Sequence, residues 1–125
     1  MEPGQRLYAL LSVAPAVVAL TGTRIYPLRL PQESVRPAIT YQVVSNAQSA
    51  PLTCPANDTP RVQVSLFADT YAGVCALAAA VRAVLHGRHP GGLVVELANE
   101  IDQYSDPAAC YFRTQDYELD CPRPA

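Results

Sequence analysis

The stretch RVQVSLFADTYAGVCALAAAVRAVLHG, residues 61–87, decides the fold class of this chain. Its first eight residues alternate between apolar and polar side chains, which predicts a half-buried strand. The inward side chains of that strand are Val62, Val64 and Leu66. The period then becomes helical, with Asp69 as the predicted N-cap and Gly87 as the predicted stop. We therefore predict a strand that leads directly into a helix.

The predicted helix is apolar on two sides, whereas a surface helix of a small domain normally has one polar face. The side that should cover a sheet carries Tyr71, Val74, Ala78, Val81 and Leu85. A second apolar stripe lies on the far side and needs a partner, because a wide exposed apolar strip invites association. We predict an oligomer interface that combines this stripe with later charged residues: Gly73, Leu77, Ala80, Val84, Glu100, Asp102 and Arg113.

Upstream of this stretch, the pattern predicts two short helices followed by two strands. The first helix begins at Glu2 and ends before Pro15, whose ring would clash with the carbonyl four residues back. Pro15 starts the second helix, and Gly22 closes it. Strands are predicted within residues 23–28 and 36–45.

Downstream, the pattern predicts two more strands, within residues 91–104 and 110–120, joined by a turn at 105–109. Two helices, three strands, a helix and a final hairpin predict an α+β fold for a single domain, residues 1–125. We expect a mostly antiparallel sheet of about four to five strands with helices packed on one face. Residues 121–125 are predicted to be a loose tail.

Residues 46–60 show no periodicity and contain three Pro with several Asn, Asp, Ser and Thr. This composition predicts a loop, and compact domains rarely carry ~15 structureless residues that have no role. The loop is therefore either a hairpin tip or a segment that becomes ordered in an assembly. In the second case, the predicted contact residues of the loop are Asn46, Gln48, Leu52, Asn57 and Asp58.

Charged residues are unevenly distributed along the chain, although the net charge is only −2. Up to Gly92 there are seven Arg and four acidic residues, whereas from Leu93 onward there are two Arg and seven acidic residues. The acidic part is either a solvated edge or a surface that meets the Arg side chains of a neighbouring subunit. The negative balance argues against a dedicated nucleic-acid-binding protein.

Known motifs for catalysis and for nucleotide or metal binding are absent from the sequence. There is no G-x-S-x-G, H-E-x-x-H, P-loop or G-x-G-x-x-G pattern, and the four Cys and two His lack paired metal-ligand spacing. Cys75 and His86 lie about three turns apart on the predicted helix, too far for a local dyad. We expect a non-enzymatic protein with no cofactor and no metal. Its apolar runs are shorter than the ~18 residues of a membrane span, and its N-terminus lacks a signal-peptide pattern.

Four segments, taken in order, resemble the tail terminator (tail-completion) proteins of long-tailed bacteriophages, prophages and gene transfer agents. They are LYALLSVAPAVVALTGTRIYPLRLPQ (7–32), RPAITYQVVS (36–45), RVQVSLFADTYAGVCALAAAVRAVLHG (61–87) and YFRTQDYELD (111–120). They contain the R-I-Y-P strand, the P-A-I-x-Y-x-x-x-S strand, the V-Q-V-x-x-x-A-x-x-Y junction and the late aromatic-Arg strand typical of that family. The resemblance covers nearly the whole chain, although the loop 46–60 and the tail 121–125 follow no fixed family pattern.

The resemblance implies a virion structural protein whose subunits close into a ring, expected to be a homohexamer. The ring would cap the tube made of the major tail tube protein, terminate its polymerisation and join the tail to the head–tail connector or neck protein. It would lie at the neck end of the tail after assembly in the host cytoplasm. Genomic DNA would pass through its lumen without specific binding. The family has no enzymatic activity and no cofactor, and no membrane is involved.

Two other functions stay open at this point. A head–tail joining (neck) protein would also form a ring but would sit on the connector. A small α+β enzyme or ligand-binding domain would instead be a monomer with a deep polar pocket.

Overall fold

Three helices and six strands make up the described part of the chain, which comprises residues 3–31, 35–45, 61–89, 92–107 and 109–120 of a computed structural model. The helices are α1 (Pro3–Ser12), α2 (Pro15–Thr21) and α3 (Tyr71–Leu85). The strands are β1 (Ile25–Pro27), β2 (Ala38–Ser45), β3 (Arg61–Ala68), β4 (Gly87–Arg88), β5 (Val94–Ser105) and β6 (Cys110–Asp120). The predicted loop 46–60, with all five of its predicted contact residues, and the predicted tail 121–125 lie outside the described residues.

The strands form one mixed sheet in the order β1-β2-β3-β6-β5-β4. β1 runs parallel to β2, and the other four pairings are antiparallel. The prediction of a mostly antiparallel α+β fold is therefore confirmed. The predicted strand count of four to five is too low, because β4, which has only two residues, was not predicted. Alternation becomes recognisable only over about four or more residues, so β4 left no pattern to detect.

The core lies between one face of the sheet and the three helices, as predicted. In β3, Val62, Val64 and Leu66 are fully buried and alternate with half-buried side chains. They belong to one buried cluster with residues from every helix, including Leu7, Leu11, Val17, Val81 and Leu85. The alternation in the sequence therefore identified the face of the sheet that the helices cover.

The two N-terminal helices divide at the predicted proline. Pro15 stands in the first turn of α2, and Gly22 follows the helix at φ 58°, where its N–H bonds to the carbonyl oxygen of Val18 at 2.8 Å. Among the described residues, no helix is long and apolar enough to cross a membrane by itself. Taken together, α1 and α2 have the length and composition of a membrane span, but they are bent by 87° at the break between them.

Helix α3 is capped by Thr70 and not by the predicted Asp69. Thr70 has extended backbone angles, φ −126° and ψ 154°, and its Oγ1 accepts a hydrogen bond from the N–H of Gly73 at 3.0 Å. Asp69 instead accepts a hydrogen bond from Nε of Arg36 at 2.6 Å. Both residue types are good N-caps, so local sequence does not distinguish these two neighbours. At the other end the helix stops before Gly87, as predicted.

The second apolar stripe of α3 is covered within the same chain. Leu77 is 0% exposed, and the half-buried side chains of Ala80 and Val84 pack against the core. The cover comes from α1 and α2, which both contact α3. The prediction that this stripe lies open in a single subunit is therefore wrong for Leu77, because two helices that come early in the chain fold over it. Conversely, Tyr71 was predicted on the side of the helix that covers the sheet, but it is 49% exposed.

A bulge in β5 decides which of its side chains face the helices. Before the bulge, Leu97 pairs with the buried Tyr117; the register then shifts between Leu97 and Asn99. After the shift, Glu100 pairs with Gln115 and Asp102 pairs with Arg113. Directly paired residues point to the same face of a sheet. The extra residue therefore brings two carboxylates onto the helix side of the sheet, beside α3.

Candidate functional site

Three of the predicted interface residues meet around Arg113, at the centre of β6. The Nε of Arg113 donates to Oδ1 of Asp102, and its Nη2 donates to Oδ2 of the same carboxylate at 3.3 Å. Its Nη1 lies 3.8 Å from Oε2 of Glu100. The hydrogen bond to Asp102 is the main cause that raises the pKa of Arg113 above its ordinary value. The acids predicted to meet an Arg of another subunit thus meet an Arg of their own chain.

Tyr71 at the start of α3 closes this network from the helix side. Its hydroxyl donates to Oδ2 of Asp102 at 2.8 Å and accepts from Nη2 of Arg113 at 3.4 Å. The guanidinium also lies 6.0 Å from the centre of the tyrosine ring, within the range of a cation–π contact. The hydrogen bonds from Arg113 first, and from Tyr71 second, lower the pKa of Asp102. Asp102 and Arg113, which lie 31 and 42 residues after Tyr71 in the sequence, are thereby linked to the N-terminal end of α3.

A buried polar chain continues from Glu100 into the core. Nε2 of Gln115 donates to Oε2 of Glu100 at 2.7 Å, and the hydroxyl of Tyr117 donates to Oε1 of Gln115 at 2.7 Å. Gln115 also reaches the carbonyl oxygen of Ala78 on α3 at 3.5 Å. Burial raises the pKa of Tyr117 well above its ordinary value. Buried polar groups need hydrogen-bond partners, and here each side chain forms a hydrogen bond with the next one in the chain.

The sequence interpretation missed Gln115 and Tyr117, although a signal was present. Both alternate with Leu119 along β6, so period-2 spacing alone places them on the inward face. A glutamine at an inward position of a strand indicates a buried hydrogen-bonded site.

A cleft of about 440 Å³ lies between α3 and β5, next to the Arg113 network. Small side chains of α3 form part of its wall: Ala78, Ala79 and Ala83. Polar groups also line it: Arg82, His86 and Glu100. The Nδ1 of His86 accepts a hydrogen bond from the backbone N–H of Leu97 at 3.2 Å, which ties the end of α3 to β5. The cleft is therefore a shallow groove with mixed charge.

The thiol of Cys75 also lines this cleft, 3.6 Å from Nη2 of Arg113. It is half-buried. Within the described residues, no group of three or more His, Cys, Asp or Glu side chains is placed to hold a metal ion.

Three exposed tyrosines extend the site to the surface, and we call them the tyrosine cluster: Tyr71, Tyr104 and Tyr111. The ring centres of Tyr104 and Tyr111 are 4.9 Å apart, and those of Tyr71 and Tyr111 are 6.1 Å apart, both in edge-to-face geometry. Each ring is between 38% and 50% exposed. Tyrosine and arginine are enriched at the centres of protein–protein interfaces, where large rigid side chains lose little entropy on binding.

Gly73, another predicted interface residue, serves a contact inside the chain. A Cβ at this position would lie 3.1 Å from the Cβ of Ala68 and 3.1 Å from Oγ1 of Thr70. The missing side chain allows the first turn of α3 to approach the end of β3 and its own N-cap. Of the seven predicted interface residues, Glu100, Asp102 and Arg113 come together in one site, while Gly73, Leu77, Ala80 and Val84 line the inner or lateral sides of α3.

Comparison with known proteins identifies the family. The family described as "Tail completion protein gp17" matches residues 5–107, from α1 to the turn after β5. This chain belongs to the tail completion protein gp17 family. It is thus a structural protein of a phage-type tail. The β6 strand, with Arg113, Gln115 and Tyr117, lies beyond the matched residues.

The fold of this tail completion protein is also found in a solved assembly. A chain of the structure entitled "Virion of native gene transfer agent (GTA) particle" superposes with a TM-score of 0.66 and 19% sequence identity, covering 90% of this chain and 89% of that chain. At that identity the likeness concerns the fold alone. No curated protein matches the sequence.

Proposed function

We propose that this tail completion protein forms a ring, expected to be a homohexamer, that caps the tail tube. The ring stops polymerisation of the major tail tube protein and joins the tail to the head–tail connector. It lies at the neck end of the virion tail and is assembled in the host cytoplasm. The single observation that carries the proposal is the family match over residues 5–107. The shared fold with a chain of a gene transfer agent virion agrees with it.

The described surface favours association over catalysis. The tyrosine cluster is exposed and lies beside the Arg113 network, so a partner that covers it would bury aromatic area next to an arginine held in place by Asp102 and Glu100. The interface proposed for the ring therefore keeps Glu100, Asp102 and Arg113. Of the α3 side chains, it would use the exposed alanines of the helix in place of the buried Leu77.

The remaining contacts belong to the same proposal. The loop 46–60 would touch the tube or the connector through Asn46, Gln48, Leu52, Asn57 and Asp58. Genomic DNA would pass through the lumen without specific binding, because a negative lining repels a polyanion.

Deleting the gene and measuring the tails by electron microscopy tests the proposal. Overlong tails without heads are expected, because nothing would stop the addition of tube subunits. Wild-type protein supplied in trans should restore the normal length. Tails of normal length that are not attached to heads would show instead that the protein acts as a neck ring on the connector.

A further inference from the structure

The two ends of the sheet carry opposite charge. The basic end comprises α1, α2 and β1, residues 3–31, which contain three Arg and no acidic residue. The acidic end comprises β5, β6 and the turn between them, residues 94–120, which contain seven acidic residues and one Arg. Since β1 and β5 are separated by three other strands, the two edges lie about 19 Å apart.

The basic end presents an apolar side chain in a strained position. Leu28, directly after β1, has φ 69°, a left-handed conformation that favours glycine or asparagine, and it is 71% exposed. Packing within its own chain therefore does not explain why a leucine stands there. Its N–H bonds to the carbonyl oxygen of Tyr41 at 2.8 Å, and the Tyr41 ring contacts Tyr8 at 5.9 Å. We call these residues, with the neighbouring exposed Arg29, the Leu28 patch.

The acidic end presents an unfinished strand. Within the described chain, β4 pairs with Val94 and Val95 alone, so residues 98–105 of β5 have no strand partner on their outer side. The tyrosine cluster lies at the far end of this edge. Glu96, near the start of β5, and Asp106, in the turn after it, are exposed and form no ion pair among the described residues. An open edge presents unpaired N–H and C=O groups to which another chain can bind.

The outer edge of β1 differs from that of β5 because it cannot extend a ladder. Pro27 has no N–H, and the N–H of Arg29 already bonds back to the carbonyl oxygen of Pro27 at 2.8 Å. The basic end therefore offers side chains, mainly Leu28 and Arg29, and the acidic end offers an open edge with aromatic rings. The two surfaces are different and complementary.

We propose that two copies of this chain associate head to tail, with the Leu28 patch of one copy seated on the acidic end of the next. This inference rests on the ring proposed above and specifies which surfaces meet. Like ends would repel each other, because each has a net charge of one sign. A contact between two different patches continues from copy to copy, and it closes into a ring when the rotation between copies permits.

Two variants, each disabled at one end, test the contact. The first carries Leu28→Asp and Arg29→Glu at the basic end; aspartate tolerates the left-handed backbone at position 28, so folding is preserved. The second carries Glu96→Lys and Tyr104→Lys at the acidic end. Each variant alone should weaken self-association at least tenfold in analytical ultracentrifugation. A mixture should form a one-to-one dimer and nothing larger, because one intact end of each kind remains.

Arg88→Glu is the matched control for the basic-end variant. It reverses an exposed Arg on β4, beside the acidic end, and should not weaken self-association, because it makes that end more negative. Circular dichroism checks that every variant is folded; if the basic-end double variant is unfolded, Arg29→Glu alone replaces it.

The outcomes separate this inference from the proposed function. Variants that assemble like wild type, or a mixture that forms no dimer, would overturn the head-to-tail contact while the ring stands. Wild-type protein that stays monomeric at every concentration would also overturn it, and the tail lengths after gene deletion would then decide the proposed function separately.

Discussion

At the scale of single residues, Arg113 shows how one side chain depends on several elements. It stands on β6, yet its partners come from the second half of β5 and from the first turn of α3. The carboxylates of Asp102 and Glu100 balance its charge, and the tyrosine ring of Tyr71 covers one side of it. Because Asp102 is 45% exposed, water screens the ion pair, and its effect on stability is small.

The depressed pKa of Asp102 predicts a weak dependence of stability on pH. The carboxylate form is favoured in the folded state, so its stabilisation is fully present above the unfolded pKa, about 3.9, and is lost as pH falls through the lower folded pKa. Exposure limits the effect to at most about 1 kcal/mol. Urea unfolding of wild type and of Asp102→Asn between about pH 2 and pH 6 measures it. Equal acid slopes for the two proteins would contradict the prediction.

The N-cap of α3 predicts a second effect of a single residue. Thr70→Ala removes the acceptor for the N–H of Gly73 and should lower the free energy of unfolding by about 1 kcal/mol. Thr70→Ser retains the hydroxyl and serves as the control. The midpoint of urea denaturation measures both variants. If Thr70→Ala behaves like Thr70→Ser, the hydroxyl does not cap the helix.

At the scale of elements, α3 is held on both sides by its own chain. The sheet covers one side, and α1 and α2 cover a second. The exposed remainder includes four alanines: Ala72, Ala76, Ala79 and Ala83. An apolar helix in this position is a central element of the subunit. Burial in the described fold, and not oligomerisation, accounts for Leu77.

The burial of Leu77 predicts that its substitution unfolds the subunit. Leu77→Glu places a charge in the core and should reduce the free energy of unfolding by at least about 3 kcal/mol. Ala79→Glu, on the exposed side of the same helix, is the matched control and should change it by less than about 0.5 kcal/mol. Thermal unfolding followed by circular dichroism compares them. A Leu77→Glu subunit that stays as stable as wild type would contradict this packing.

The buried polar chain predicts coupling between elements. Gln115→Leu leaves the hydroxyl of Tyr117 without its acceptor and removes the hydrogen bond to Glu100, which should cost about 1–3 kcal/mol. Tyr117→Phe removes the hydroxyl that donates a hydrogen bond to Gln115. The double variant should therefore lose less stability than the sum of the two single losses. Additive losses in a double-mutant cycle, measured by urea denaturation, would show that the two side chains do not interact.

At the scale of the whole molecule, the opposite charges of the two ends of the sheet determine how copies would meet. The sheet order β1-β2-β3-β6-β5-β4 puts β1, which lies between Arg24 and Arg29, at one edge and the acidic hairpin near the other. The N-terminal elements and the hairpin are separated by more than sixty residues of chain, and they become the two ends of one body because β2, β3 and β6 join them.

This charge separation predicts that self-association weakens with salt. Between about 0.01 M and 1 M ionic strength the Debye length falls from about 30 Å to about 3 Å, so attraction between opposite ends is screened. Sedimentation velocity across this range measures the association. The Glu96→Lys variant should show a shallower salt dependence than wild type, because one acidic side chain of the contact is reversed. An unchanged salt profile would mean that the acidic end is a solvated edge.

Local patterns in the sequence determined the order of the elements and the buried face of each. Alternation in residues 61–68 identified the inward side of β3, and Pro15 and Gly22 marked the ends of α2, because these signals act over a few bonds. Only the tertiary structure decided what covers α3 and what meets Arg113. The first depends on helices about sixty residues earlier in the chain, and the second on a one-residue bulge in β5 that changes which side chains face inward. Contacts between distant segments depend on the register of the strands, and a pattern that repeats every two residues does not reveal that register.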